Sequence, residues 1–75
     1  ASFSDMFSDL RSDMAEIEVM GVIYSENSEY ILETMRDSIG GTGILLKAVR
    51  ISSELDIDAA LEELKDVDAF YLMPD

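Results

Sequence analysis

Hydrophobic side chains recur at helical spacing near the start of the chain, over residues 3 to 14. Ser-Asp pairs fall between them and stay mostly off the apolar stripe, because each pair follows the previous one by four residues. This pattern predicts an amphipathic N-terminal helix, which we place within residues 1–15 and expect to pack on a core. A helix on a membrane surface would need several cations on its polar face, and only Arg11 is available. The apolar stripe consists of Phe3, Met6, Phe7, Leu10 and Met14.

Three short apolar runs predict β-strands. Residues 18 to 24, EVMGVIY, form a β-branched run that is typical of a strand buried on both faces. Residues 44 to 51 carry Lys47 and Arg50, which suits a strand at the edge of a sheet. Residues 69 to 73, AFYLM, are too few for a helix and suit a buried strand.

Helical patterns connect these strands. The first follows SENS at residues 25 to 28, whose side chains can cap a helix, and it ends at GGTG, residues 40 to 43, where glycine can supply a positive φ. GGTG is not typical of a phosphate-binding loop, because it lacks a following Gly-Lys-Ser/Thr and precedes a strand. The second helix begins near Ser52, Ser53 and Asp56, which can cap it. The two apolar stripes are Ile31, Leu32, Met35 and Ile39, and then Ile57, Ala60, Leu61 and Leu64.

The order of these elements, one helix followed by β-α-β-α-β over residues 18–75, predicts an α/β fold. Strands that alternate with short helices form parallel sheets, and right-handed crossovers then place the first strand between the other two. We therefore predict a three-layer α/β/α domain with a three-stranded parallel sheet of order 2-1-3, and with the crossover helices on opposite faces. Ligands of such sheets bind where the strand order reverses, at the carboxyl ends of the strands. Here that place is formed by residues 24–28 and 74–75.

Composition limits the chemistry of such a site. The 75 residues allow one small domain, and the lack of cysteine and histidine argues against disulfides, the usual zinc sites and the commonest general base. Seventeen acidic and five scattered basic residues give a net charge of −12, which argues against binding of nucleic acid. No apolar run approaches the roughly 20 residues of a membrane span, so we expect no membrane insertion. We also expect no enzymatic activity, no cofactor and no metal, because carboxylates alone are weak support for catalysis.

Four polar or aromatic residues at the carboxyl ends are candidates for ligand binding. Asn27 and Ser28 lie where a strand turns into a helix N-terminus, so they can cap that helix or bind an anionic group such as a carboxylate. Tyr24 can offer a flat wall or a hydroxyl to a solute, or be a tyrosine of the core. Asp75 can accept a hydrogen bond from a ligand ammonium.

The same elements, in this order, resemble those of ABC transporter substrate-binding proteins, in the group related to amino-acid binders. The resemblance spans residues 10 to 75, and the loop after the first strand departs from it in carrying Ser25-Glu26 where a proline is usual. The stretches that carry it are GVIY at 21–24, Asn27-Ser28, Ala59-Ala60, Asp68-Ala69 and Pro74-Asp75.

The resemblance implies a periplasmic-binding-protein-like lobe that closes with a second lobe on a small, amino-acid-like solute. It implies a ligand-binding wall made of Tyr24, Asn27, Ser28 and Asp75, an ABC permease as partner, and a periplasmic or other extracytoplasmic location, where a lipoprotein anchor is one form. It also implies that the chain is part of a longer protein. The alternative is a free-standing α/β protein-interaction or regulatory module. In either case we expect self-association through residues 69–73, because an apolar edge strand is a template for pairing with another chain.

Overall fold

The computed structural model describes residues 2–74, and within them every predicted helix and strand is present. The strands and the first helix are one residue shorter at one or both ends than the hydrophobic pattern predicts. One-turn 3-10 helices, at Glu26–Ser28 and Glu54–Asp56, precede the second and third α-helices. The elements are α1 (Phe3–Asp13), β1 (Val19–Tyr24), α2 (Glu29–Ser38), β2 (Leu45–Arg50), α3 (Ile57–Glu63) and β3 (Ala69–Leu72).

The three strands form one parallel sheet of order β2-β1-β3, as the right-handed crossovers predict. Val19 pairs with Leu45 on one side of β1, and Met20 pairs with Ala69 on the other. β1 is the central strand, and its apolar residues are buried on both faces. The carboxyl ends of all three strands therefore lie at one edge of the sheet.

The two faces of the sheet are covered to different extents. On one face, which we call the α1α2 face, Met20 and Val22 of β1 pack with Phe7 of α1 and with Leu32 and Met35 of α2. Part-buried side chains of β2 and β3 complete this larger cluster. The opposite face, the α3 face, has a smaller cluster made of Ile23, Ala60 and Leu64. The two crossover helices thus cover opposite faces, which confirms the predicted three layers.

The α3 face is only partly covered, because α3 has seven residues and lies against β1 and β2. Phe70 and Leu72 of β3 are 54% and 59% exposed there, whereas Tyr71 and Met73 pack on the α1α2 face. The interpretation of residues 69–73 as a buried strand therefore holds for one side of β3 only. Successive side chains of a strand point to opposite faces of the sheet. When all of them are apolar, the sequence does not indicate which face a helix will cover.

A turn with two left-handed glycines leads from α2 into β2. Gly41 and Gly43 have φ of +80° and +77°, so the predicted use of glycine after α2 is confirmed. Arg11 of α1 reaches this turn, where Nη2 donates to the carbonyl oxygen of Thr42 at 2.7 Å. Its Nη1 also donates to the carbonyl oxygens of Ala15 and Ile17, each at 2.9 Å. One guanidinium therefore ties the end of α1 to the entry of β2.

Candidate functional site

A pocket of about 220 Å³ lies at the carboxyl edge of the sheet, on the α3 face. The ends of β1 and β3 and the segment that follows β2 contribute to it, because parallel strands end at the same edge. The last residues of β1 and β3 line one side, and the segment between β2 and α3 lines the other. The lining residues are Ile23, Tyr24, Ser25, Ile51, Ser52, Ser53, Glu54, Ile57, Leu72 and Met73.

The pocket has an apolar part and a polar part. Isoleucine, leucine and methionine side chains from all three strand ends and from the start of α3 supply the apolar part. The polar part comes from Ser25 after β1 and from Ser52, Ser53 and Glu54 after β2. Among the described residues that line the pocket, only Glu54 is charged. A small solute with an apolar body and hydrogen-bonding groups at one end would match this division.

The segment between β2 and α3 is held by its own capping interactions. Oδ2 of Asp56 accepts hydrogen bonds from the backbone N–H groups of Ser52 at 2.9 Å and Ser53 at 3.2 Å. Oγ of Ser53 accepts one from the backbone N–H of Leu55 at 3.2 Å. Ser53 and Asp56 therefore cap the 3-10 turn Glu54–Asp56, one turn before the helix that they were predicted to cap, and their bonds fix one wall of the pocket in place.

The end of β1 and the loop after it contain three of the four predicted ligand-binding residues, and these three lie in different surroundings. Tyr24 lines the pocket and also packs against the larger core cluster. Asn27 is exposed on the neighbouring 3-10 turn. Ser28 is buried, and its hydroxyl accepts a hydrogen bond from the backbone N–H of Ser25 at 2.9 Å. Asp75, the fourth predicted residue, lies outside the described residues.

The Ser28 side chain has a structural role that accounts for its burial. Its hydroxyl also donates to the carbonyl oxygen of Ser25 at 3.3 Å, and the two residues form a capping box around the 3-10 turn. The cap interpretation of Ser28 is therefore the one that the hydrogen bonds support directly. Ser28 and Asn27 lie beside the pocket but are not among the described residues that line it.

An ion pair joins two of the loops at the carboxyl edge. Nη2 of Arg50, the last residue of β2, lies 3.7 Å from Oε2 of Glu26. Both side chains are more than half exposed, so water and salt screen the pair and its contribution to stability is small. Among the described residues, Arg50 is the only positively charged one near this edge, and it is already paired with the Glu26 carboxylate.

The opposite, amino edge of the sheet has a carboxylate with a clear structural role. Oδ2 of Asp68 accepts hydrogen bonds from the backbone N–H groups of Glu18 at 2.8 Å and Val19 at 3.0 Å. These two bonds lower the pKa of Asp68 below its ordinary value of 3.8. The carboxylate thus holds the start of β1 to the start of β3 and is remote from the pocket.

Two further properties of residues 2–74 concern metal binding and membrane insertion. No three carboxylates in this part of the chain are arranged to hold a metal ion. None of its helices has both the length and the apolar character needed to cross a membrane.

Sequence reasoning missed one of the three loops that form the pocket. Residues 52 and 53 have a sequence typical of helix caps, and that pattern does not indicate that they also line a pocket. The strand-order rule favours the gap between β1 and β3, yet the pocket extends toward β2 because α3 begins there. Comparison of the chain with protein families, with curated proteins and with solved structures found no match. The geometry of the carboxyl edge is therefore the basis for a functional proposal.

Proposed function

We propose that this domain is a non-catalytic lobe of an ABC-importer solute-binding protein, which contributes one wall of a site for a small, amino-acid-like solute. The single observation that carries the proposal is the pocket at the carboxyl edge, lined by the ends of β1 and β3 and by the segment that follows β2. Open α/β sheets bind their ligands at this edge. The resemblance of the strand and loop sequences to that class of protein agrees with this location.

The size of the pocket favours a wall over a complete site. Sites that enclose a small molecule measure about 300–1,000 Å³ and bury most of the ligand surface. The pocket here measures about 220 Å³ and is open to one side. A second protein surface, such as the second lobe of a two-lobed binding protein, would complete the enclosure.

The lining of the pocket indicates which part of a solute it would hold. Its apolar residues suit a branched aliphatic or thioether side chain, and Tyr24 offers a flat aromatic wall at the end of β1. Glu54 at the rim would favour an ammonium group over a carboxylate. Asn27 is exposed at the adjoining turn and can donate to a solute oxygen, while Ser28 supports that turn through its cap. The proposed contribution of Asp75, an acceptor for the ammonium, completes this set.

The wider assignment belongs to the same proposal. A solute-binding protein of this class would act in the periplasm or at another extracytoplasmic location, where a lipoprotein anchor is one form. It would deliver its solute to an ABC permease. These two elements rest on the sequence resemblance alone.

A protein-interaction module is a second candidate, and one observation favours it. Phe70 and Leu72 expose more than half of their surface on the α3 face, next to the free edge of β3. Exposed apolar side chains in a contiguous group are typical of a surface that binds another protein. This candidate requires no solute in the pocket.

Saturation-transfer NMR with the apolar amino acids distinguishes the two candidates. We expect leucine, isoleucine or methionine to receive saturation from the protein, with a dissociation constant of about 1 mM or weaker, because one wall offers few contacts. Ser52→Phe should remove this signal by filling the pocket, since Ser52 is exposed and lines it.

Ser12→Phe on α1 is the matched control, because it adds the same side chain at an exposed position away from the carboxyl edge. It should leave the saturation signal intact. If none of the apolar amino acids gives a signal, or if Ser52→Phe leaves the signal unchanged, the solute-binding proposal is wrong.

A further inference from the structure

The two edges of the sheet differ in how they are protected against pairing with another chain. β2, at one edge, carries Lys47 and Arg50, and charged side chains on an edge strand discourage association. β3, at the other edge, has the sequence AFYL and no charged residue. β3 is therefore the edge that is open to pairing.

The open edge adjoins an apolar surface on the α3 face. Phe70 and Leu72 are 54% and 59% exposed and lie on the same side of β3. Ile57 of α3 lines the same pocket as Leu72, and Leu61, one turn further along α3, is 39% exposed. A partner that pairs with the edge of β3 would also cover this apolar surface.

The backbone of β3 has hydrogen-bonding groups available for such a partner. Met73, just after β3, donates its N–H to the carbonyl oxygen of Ile23 at 2.9 Å. Backbone groups alternate in direction along a strand, so in the observed register those of Ala69 and Tyr71 also point toward β1, and those of Phe70 and Leu72 point toward the open side. Residues 68–73 contain no proline, so each of them has a backbone N–H.

We propose that the occupant of this edge is a second copy of the same chain, and that the two β3 strands pair antiparallel about a two-fold axis at Tyr71. Such an axis, perpendicular to the sheet, keeps the α3 faces of both copies on one side and joins the two sheets into one. Phe70 of each copy then lies opposite Leu72 of the other, and the two Tyr71 side chains meet on the α1α2 face.

Self-complementarity is the reason to choose a second copy over an unrelated partner. In this register every pair of opposed residues is apolar: Ala69 with Met73, Phe70 with Leu72, and Tyr71 with itself. Asp68 falls opposite Pro74, so no like charges face each other along the paired segment. A strand that reads apolar in both directions is suited to pairing with its own copy.

The pairing would also change the pocket at the carboxyl edge. Leu72 lines that pocket and is the residue that Phe70 of the second copy would contact. The second copy would therefore add an aromatic side chain to the open side of each pocket. This inference does not rest on the proposed solute binding, because the pairing follows from the edge and the apolar surface alone.

The net charge of each chain acts against the pairing. Two copies that each carry −12 repel each other at long range, and salt screens this repulsion over about 10 Å at 0.1 M. We therefore expect the dimer to be weak in dilute buffer and to strengthen as sodium chloride is added.

Sedimentation equilibrium at low and high salt tests the proposal with two matched variants. Phe70→Lys places a charge in the proposed interface, and Leu45→Lys makes the same change in charge on the same face at the other edge, where Leu45 is 69% exposed. We expect the original chain and Leu45→Lys to dimerise more strongly in high salt, and Phe70→Lys to stay monomeric in both conditions. Circular dichroism should show that both variants are folded.

Amide hydrogen exchange of the unmodified chain provides a second readout that needs no variant. Exchange at Phe70 and Leu72 should slow as protein concentration rises, because their N–H groups point to the open edge and become paired. Exchange at Ala48, whose N–H points outward from β2 because those of Leu45 and Ile51 bond to β1, should not change. The proposal is overturned by a monomer at hundreds of micromolar in both salts, or by equal loss of the dimer in both lysine variants. A monomer would leave the β3 surface to a different protein segment.

Discussion

Gly21 shows how a single residue sets the distance between α3 and the sheet. A Cβ atom at this position would lie 3.0 Å from Cγ2 of Val67 and 3.1 Å from Cδ1 of Leu64. Leu64 is fully buried, so it has little room to move away. The glycine in the middle of the central strand therefore allows the end of α3 to approach closely, at the cost of the weaker strand preference of glycine.

Replacing Gly21 by alanine should lower the free energy of unfolding by about 1 kcal/mol, since overpacking of about 1–3 kcal/mol exceeds the gain from a less flexible unfolded chain. Urea denaturation measures the difference. Gly40→Ala is the control, because a Cβ there would meet no atom within 4 Å. Equal stability of the Gly21→Ala variant and the original chain would show that Leu64 and Val67 can move aside.

Asp68 links the acidity of the solution to the pairing of β1 with β3. Because hydrogen bonds to Glu18 and Val19 lower the pKa of Asp68, its carboxylate stabilises the fold at every pH above its ordinary value of 3.8. The stabilisation disappears as the pH falls below 3.8 and through the lowered pKa, where the carboxylate takes up a proton.

Asp68→Asn should therefore lower the melting temperature at neutral pH, and the difference from the original chain should shrink below about pH 4. Melting curves recorded by circular dichroism from neutral to acid pH test this. Asp66→Asn removes the same charge at a nearby exposed position and should not reproduce the effect. A difference that stays constant down to acid pH would contradict the role given to the Asp68 carboxylate.

At the scale of the elements, the sequence predicts each helix and strand and their order, because each has a clear period or a β-branched run. The strand β1 is the clearest case, since it is apolar throughout and central. The exposure of β3 was not predictable from residues 69–73, because it depends on the short length of α3 and on where that helix lies. The pocket was predictable at the end of β1, through Tyr24, but not after β2, where capping residues and lining residues coincide.

The attachment of α1 to the rest of the domain depends on packing and on one side chain. The guanidinium of Arg11 donates to backbone carbonyl oxygens of Ala15, Ile17 and Thr42, the last of these in the turn before β2. Since two of these contacts are part-buried, removing the donor would leave acceptors without a partner.

Arg11→Met, which keeps most of the aliphatic length, should lower the free energy of unfolding by about 2 kcal/mol. Arg36→Met provides the matched control: it makes the same change in charge on the exposed side of α2 and should have little effect. Urea denaturation of both variants measures the two changes. A loss of the same size in both would mean that charge, and not the three hydrogen bonds, explains the effect.

At the scale of the whole molecule, charge repulsion is a general cost. The chain carries 17 acidic and 5 basic residues, and the two ion pairs among the described residues, Arg50–Glu26 and Lys65–Glu62, are both exposed. The like charges therefore repel one another with little compensation, and compactness increases this repulsion.

Adding sodium chloride to a dilute solution should raise the melting temperature, because salt screens the repulsion more than it weakens two exposed ion pairs. Glu33→Lys should raise the melting temperature in low salt and reduce the effect of salt, since Glu33 is exposed between Glu29 and Asp37 at helical spacing. Thermal melts followed by circular dichroism test both outcomes. A melting temperature that falls as salt is added would show that attractive pairs dominate.

At the same scale, the proposal that a small solute binds at the carboxyl edge of the sheet can be tested directly. Amide chemical shifts, followed while leucine is added, locate the contact residue by residue. We expect shifts concentrated at residues 24–28, 51–54 and 72–73, with those around Asp68 at the amino edge unchanged. Shifts centred on the amino edge, or spread evenly over the domain, would contradict the proposal.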